Sequence, residues 1–178
     1  MLSIGIDFGT SNSSVAVYDG QTVHLLALDA RARDPQVMRS LLYITREADI
    51  VAGQEALNLY TEQNTGREVR LERHYLGEVK MVFSDMVVVK DAYAMVDVNE
   101  PGRLFQSLKR FLPVTSFKKT NVFGSEYRLE ELVATLAKRM VEAAETALGR
   151  RIEAITVGRP AKMRVKNASH VGQVAAGS

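Results

Sequence analysis

The chain has 178 residues, 46% of them hydrophobic, which is enough to bury the core of one domain and argues against a disordered chain. Its 23 basic and 21 acidic residues leave a formal charge of +2, which gives no reason to expect a nucleic-acid-binding protein. The sequence has no cysteine, which excludes disulfides and thiolate metal sites and suits a reducing compartment.

Three antiparallel strands are predicted at the beginning of the chain. Residues 2–8 alternate and then run apolar into a glycine, as a buried strand does. Residues 13–19 form a second strand, which ends at the two-residue hairpin signal Asp19-Gly20. Residues 22–28 then return as the third strand of the sheet.

The middle of the chain alternates short elements of both kinds. Residues 39–45 predict a strand, residues 54–63 a short helix, and residues 67–76 a further helix. Residues 81–89 predict a single strand because they are rich in β-branched side chains. Residues 103–112 predict an amphipathic helix that ends before a proline.

The clearest helix is predicted over residues 129–148. Its apolar residues recur at steps of three, four and one, which places them on one face. Two glutamates favour its first turn, and Gly149 closes it. Residues 152–160 then predict another buried strand, and the last 18 residues are small, polar and basic.

The segment between residues 4 and 20 carries the chemistry. The first strand delivers Asp7 to its carboxyl-terminal end, and a turn leads directly into the second strand. Such a turn aims consecutive N–H groups at an anion, and Gly9 allows close approach. Hydroxyls of Thr10, Ser11 and Ser13 add donors, while Asp7 beside a phosphate requires an intervening Mg²⁺. The residues alone leave a second interpretation open, a tight hairpin with Asx and serine caps.

Several motifs resemble one family in the same order along the chain. The run Ile6-Asp7-Phe8-Gly9-Thr10-Ser11-Asn12, followed by Ser14-Val15-Ala16-Val17, resembles the first phosphate loop of the actin/sugar-kinase/heat-shock-chaperone ATPase superfamily. It is most similar to DnaK-type chaperones of the heat shock protein 70 family. Residues 53–58 resemble that family's G-x-x-A-x-x helix start, and residues 104–112 its helix with a Lys-Arg pair. Residues 129–148 and 154–161 resemble its next helix and its V-T-V-P strand, whereas residues 65–100 are interpreted as an insertion.

The resemblance implies a role for each residue of the loop. Asp7 would hold Mg²⁺ through water, and Gly9 would admit the phosphates to the backbone. Thr10 would help to position the γ-phosphate and the attacking water. The backbone amides of Thr10, Ser11 and Asn12 would cradle the β- and γ-phosphates of ATP or ADP.

By this resemblance, Lys109 corresponds to the catalytic lysine of the family. In that role it places a cation against the nucleophilic water and the transferring phosphoryl group. Without the resemblance, Lys109 is interpreted as an ordinary solvated helix lysine beside Arg110.

The resemblance implies an α/β fold of ribonuclease-H-like topology, the lobe of an actin-like ATPase with a mixed β-sheet. We expect this lobe over residues 1–161, with an inserted subdomain at about residues 36–128. Residues 162–178 are expected to be a disordered or non-native tail. The second lobe of the family, with its D-x-G-G-G-T loop, has no counterpart. We therefore expect a truncated chain that hydrolyses ATP poorly or not at all, buries residues 129–157 incompletely and self-associates through an exposed sheet edge.

The remaining expectations concern location and partners. The sequence has no apolar stretch of about 18 to 20 residues and no signal peptide, so we expect a cytoplasmic protein without a membrane or nucleic-acid partner. Unfolded clients and co-chaperones would bind regions outside this chain. The three histidines are scattered without the spacing of a metal site.

Three functions remain open from the sequence. The first is the ATP-binding lobe of a DnaK-like chaperone, in which ATP binding and hydrolysis are coupled to protein folding. The second is a lobe of a sugar or acid kinase, which shares the Asp-Phe-Gly-Thr loop. The third is a non-enzymatic actin-like assembly module, which predicts pairing without dependence on ATP.

Overall fold

A computed structural model describes residues 2–84 and 86–158. Its elements in chain order are β1 (Ser3–Asp7), β2 (Asn12–Tyr18), β3 (Val23–Leu25), β4 (Met38–Arg39), β5 (Leu41–Thr45), β6 (Ile50–Ala52), α1 (Gly53–Asn64), β7 (Leu71–Phe83), β8 (Met86–Asp97), β9 (Gly102–Gln106), a 3-10 helix (Leu108–Phe111), β10 (Lys119–Val122), β11 (Ser125–Arg128), α2 (Leu129–Leu148) and β12 (Ala154–Val157). The tail predicted for residues 162–178 lies outside the described residues.

The main sheet has the strand order β12-β1-β2-β3, with β4 attached to β2. Strand β2 runs antiparallel to both β1 and β3, as the hairpin signals predict. Strand β12 returns parallel to β1, with Ile4 opposite Ile155. This mixed sheet confirms the predicted ribonuclease-H-like α/β fold.

Helix α2 covers one face of the main sheet, and its bounds confirm the prediction for residues 129–148. Leu132, Leu136 and Met140 are at most 1% exposed, and they join the same core as Ile4 and Ile6 of β1. Glu131 accepts the backbone N–H of Arg128 at the first turn, and Gly149 ends the helix at a positive φ of 65°.

Burial at the end of the chain follows the prediction only in part. The expectation that helix 129–148 lacks neighbours is wrong, because its apolar face is buried. Strand β12 does lack cover, since Ile155 is 48% exposed and Val157 is 56% exposed.

A second sheet, β6-β5-β9, packs between α2 and α1. Strand β5 is buried on both faces. Leu42 and Ile44 join the core, while Tyr43 packs against Tyr60 of α1 with ring centroids 5.9 Å apart. Helix α1 confirms the helix predicted for residues 54–63. The proposed division into a lobe and an inserted subdomain stays a prediction.

Three predictions in the middle of the chain are wrong. Residues 67–76 are not helical, because β7 begins at Leu71 and pairs along its length with β8. Residues 81–89 are not one strand, because the chain reverses between Phe83 and Met86. Residues 103–112 form β9 and the 3-10 helix instead of one helix. Their short apolar pattern fits both structures, and pairing with the buried strand β5 satisfies the backbone of β9.

Candidate phosphate-binding site

The loop between β1 and β2 brings five of the predicted site residues together. Asp7 is the last residue of β1 and is exposed. Gly9, Thr10 and Ser11 form the turn, and Asn12 begins β2. Pairing of β1 with β2 ends at the Asp7–Ser14 pair, so the whole turn projects from one end of the sheet. Asp7 therefore lies at the same end of the sheet as the turn.

Gly9 is required where the turn closes. A Cβ atom built at this position would overlap the backbone carbonyl oxygen of Asn12. No side chain fits in that space, so only glycine allows the turn to be this tight.

Two buried serines hold the turn through hydrogen bonds to the backbone of Gly9. The Ser13 hydroxyl accepts the N–H of Gly9 at 3.1 Å, and the Ser40 hydroxyl donates to the Gly9 carbonyl at 3.0 Å. The two hydroxyl oxygens lie 2.9 Å apart, and both side chains are buried. Since Ser40 uses its hydrogen on Gly9, the hydroxyl of Ser13 donates to Ser40. Both polar groups of the Gly9 backbone are thereby fixed.

The backbone of Ser40, the residue directly after β4, adds a third support. The backbone N–H of Ser40 donates to the Ser11 carbonyl at 2.9 Å. Within the part of the chain that the structure describes, the N–H groups of Thr10 and Ser11 donate to no protein acceptor. The carbonyls of Gly9 and Ser11 are thus tied to the protein, while two successive donors remain available to an anion.

Lys109 reaches the loop from a distant part of the chain. Its Nζ donates to the backbone carbonyl of Phe8, the residue before Gly9. The preceding residue, Leu108, is 3% exposed and anchors the 3-10 helix in the core. Ser107 turns the chain into that helix at a positive φ of 57°. The ammonium group is therefore held at the loop by a short, anchored helix, and it is not the freely solvated lysine of the alternative interpretation.

A hollow of about 220 Å³ lies beside the turn. Thr10, Ser11, Ser40 and Ser107 line it together with Arg39, whose Nε donates to Gln54 at 2.9 Å. Its volume is below the range of about 300 to 1,000 Å³ that is usual for small-molecule sites. The described residues therefore supply one wall of a site and do not enclose a nucleotide.

The donor set fits a phosphate-bound Mg²⁺ better than a metal site made of protein ligands. The described residues hold no group of three or more His, Cys, Asp or Glu side chains able to bind a metal. Mg²⁺ is commonly held by one or two carboxylates together with phosphate oxygens and water. Asp7 beside the open N–H groups of the turn matches that arrangement.

Sequence reasoning missed Ser40 and Arg39. The sequence shows both only as part of a predicted strand over residues 39–45. They reach the loop because β4 pairs with β2, so that Arg39 lies opposite Asn12 and Met38 opposite Ser13. That pairing covers only two residues of each strand, and the two strands are separated in sequence by β3 and the long connection after it. No local sequence pattern therefore predicts it.

The mixed sheet and its strand order are those of the lobe of an actin-like ATPase. Among known protein families, the one described as "Hsp70 protein" matches residues 3–164 of this chain. The chain belongs to the Hsp70 family.

Two chaperones show similarity along most of the chain. "Chaperone protein dnaK1" of Parasynechococcus marenigrum (strain WH8102) is 27% identical over 160 residues. The protein of the same name from Prochlorococcus marinus (strain MIT 9313) is 30% identical over 159 residues. Each alignment covers 89% of this chain but 21% of the relative, so the chain corresponds to about a fifth of the length of these relatives. No helix in residues 2–84 or 86–158 is long and apolar enough to cross a membrane.

Proposed function

We propose that this chain supplies the first phosphate-binding wall of a DnaK-like chaperone ATPase, and that the wall binds Mg²⁺-ATP through the β1–β2 turn. Its support is the convergence of Asp7, the open N–H groups of Thr10 and Ser11, and the Lys109 ammonium at one loop. The Hsp70 family binds ATP and Mg²⁺, and membership in it favours this function over the kinase and the assembly module.

Each residue has one task in this proposal. The N–H groups of Thr10 and Ser11, followed by that of Asn12, donate to phosphate oxygens. Asp7 would hold Mg²⁺ through water, and the bound ion would neutralise the charge of the phosphates. Lys109 would place its positive charge against the transferring phosphoryl group, and Thr10 would orient the group at the end of the phosphate chain.

The open geometry also implies weak catalysis. Charge stabilisation in phosphoryl transfer comes from donors and cations on several sides of the phosphate. Here the described residues provide one side, with a hollow too small and too open to exclude water. We therefore propose that the chain binds Mg²⁺-ATP with low affinity and hydrolyses it slowly without further protein around the site.

Isothermal calorimetry with Mg²⁺-ATP tests this function. Wild type should bind, and Asp7→Asn and Lys109→Met should each weaken binding at least about ten-fold, as expected for the loss of a charge-assisted contact. Asp49→Asn and Lys118→Met are matched controls, because both lie outside the site and should leave the affinity unchanged. Folded wild type without binding at millimolar Mg²⁺-ATP would refute the proposal, as would equal effects of site and control variants.

A further inference from the structure

A long β-ribbon, formed by β7 and β8, projects from the fold. The strands have 13 and 12 residues and pair with each other from Leu71–Asp97 to Phe83–Met86. None of the other helices and strands in the described part of the chain packs along them. The ribbon is fixed at its base, where Arg67 forms an ion pair with Asp97.

The ribbon exposes more apolar surface than two strands can bury. Val79 is 49% exposed, Val82 73% and Phe83 57%. Isolated two-stranded ribbons are marginal in water, and stability requires three or more strands or another packed element. An edge strand of this length is also an open template for a further strand. The ribbon is therefore suited to pairing with another β-strand.

We propose that the outer edge of β7 pairs antiparallel with β7 of a second copy of this chain, centred on Val79. In this register Glu78 lies opposite Lys80 of the second copy, and the symmetry creates that pair twice. On the other face, Val79 meets its own equivalent and Gly77 meets Met81. The four strands then form one continuous sheet in which opposite charges match on one face and small and apolar side chains match on the other.

Strand β8 does not offer an equivalent match. A two-fold axis perpendicular to a sheet pairs only residues that lie on the same face. Lys90 and Asp91 are adjacent and point to opposite faces. No symmetric register of β8 places them opposite each other, whereas Glu78 and Lys80 share a face of β7. Charge complementarity therefore selects β7 as the pairing edge and a second copy as its occupant.

The main sheet is a weaker candidate for self-association. Its open edges, β3 and β12, have three and four residues. Strand β7 offers an edge three times as long, and its regular segment from Gly77 to Phe83 carries no proline. The exposed edge expected from the sequence to cause self-association is thus better represented by the ribbon than by the main sheet.

Charge-swap variants of the full chain test the pairing by sedimentation velocity over a dilution series. Wild type should dimerise, and Lys80→Glu or Glu78→Lys should raise the dissociation constant about ten-fold or more, since each places two like-charged pairs in the interface. The double swap of both residues restores opposite charges and should restore dimerisation. Lys90→Glu makes the same charge change on β8 and should have little effect.

The outcomes separate this interface from other kinds of association. A wild type that stays monomeric at all concentrations would overturn the proposal. The proposal would also be overturned if the charge changes left the dissociation constant unchanged, or if the double swap failed to restore the dimer. An effect of Lys90→Glu as large as that of Lys80→Glu would overturn it too. Thermal unfolding at a concentration at which wild type and variants are monomeric verifies that each variant folds, and no large change is expected because these side chains are exposed.

Discussion

Replacing Ser40 with alanine should destabilise the fold, because it removes hydrogen bonds that hold the β1–β2 turn. Ser40 is 1% exposed, and its hydroxyl lies between the Gly9 carbonyl and the Ser13 hydroxyl. In Ser40→Ala the Gly9 carbonyl loses its donor and the Ser13 hydroxyl loses its acceptor. A buried polar group without a partner costs about 1 to 3 kcal/mol. Because Gly9 is only partly buried, we expect a total loss of about 2 to 3 kcal/mol in the free energy of unfolding.

This loss is large enough for thermal unfolding to measure. In a chain of this size, 1 kcal/mol lowers Tm by about 2 to 4 °C, so Ser40→Ala should melt about 4 to 12 °C below wild type. Ser14→Ala is the matched control, since Ser14 is the next residue of β2 and has no side-chain hydrogen bond within the described residues. It should change Tm by much less.

A double-mutant cycle with Ser13→Ala tests the arrangement itself. Once Ser13 is alanine, removing Ser40 no longer leaves a hydroxyl without an acceptor, so the second substitution should cost less. We expect a coupling of about 1 kcal/mol between the two positions. Additive effects, or a Ser40→Ala variant as stable as wild type, would show that the serine pair does not hold the turn.

Three further substitutions test other parts of the fold. Leu136→Ala should lower the free energy of unfolding by about 2 to 5 kcal/mol in chemical denaturation, because its side chain is fully buried under the main sheet. Gly53→Ala should destabilise more than Gly66→Ala: both positions have positive φ, but only at Gly53 would a Cβ overlap another side chain. The Arg67 guanidinium lowers the pKa of Asp97, so the stabilisation from this carboxylate is present above its usual pKa and is lost as the pH falls through the lowered one. The Tm difference between wild type and Asp97→Asn should therefore shrink in acid, and a constant difference would contradict this pKa.

The parts of the fold that depend on local signals could be predicted from the sequence. Helix α2 has a long apolar period, an acidic first turn and Gly149 at its end, and its bounds match the prediction. The β1–β2 turn likewise follows from a short buried strand that runs into Gly9. In both cases the residues that decide the structure lie within a few positions of one another.

The wrong predictions lie where distant pairing decides the structure. The apolar spacing of residues 103–112 suits a helix. However, β9 packs closely against β5, and at its first residue, Gly102, any side chain would overlap Tyr43. Pairing with β5 then extends the chain as far as Gln106. The resemblance located Lys109 without giving its path to the loop, because that path depends on Leu108 being anchored in the core.

The candidate site is formed by segments that lie far apart in the sequence, and these segments have different physical tasks. The β1–β2 turn provides the donors, Ser40 fixes their direction, and Lys109 adds the charge from 101 positions beyond Phe8. The serine contacts are buried and short-range, so salt should leave their contribution almost unchanged. The lysine acts on a charged group at the protein surface, where salt screens the attraction. A phosphate oxygen is also a stronger acceptor than the neutral Phe8 carbonyl. In the proposed function, the fold sets the direction of the donors before a phosphate binds, and Lys109 adds a salt-sensitive contribution by exchanging the Phe8 carbonyl for a phosphate oxygen.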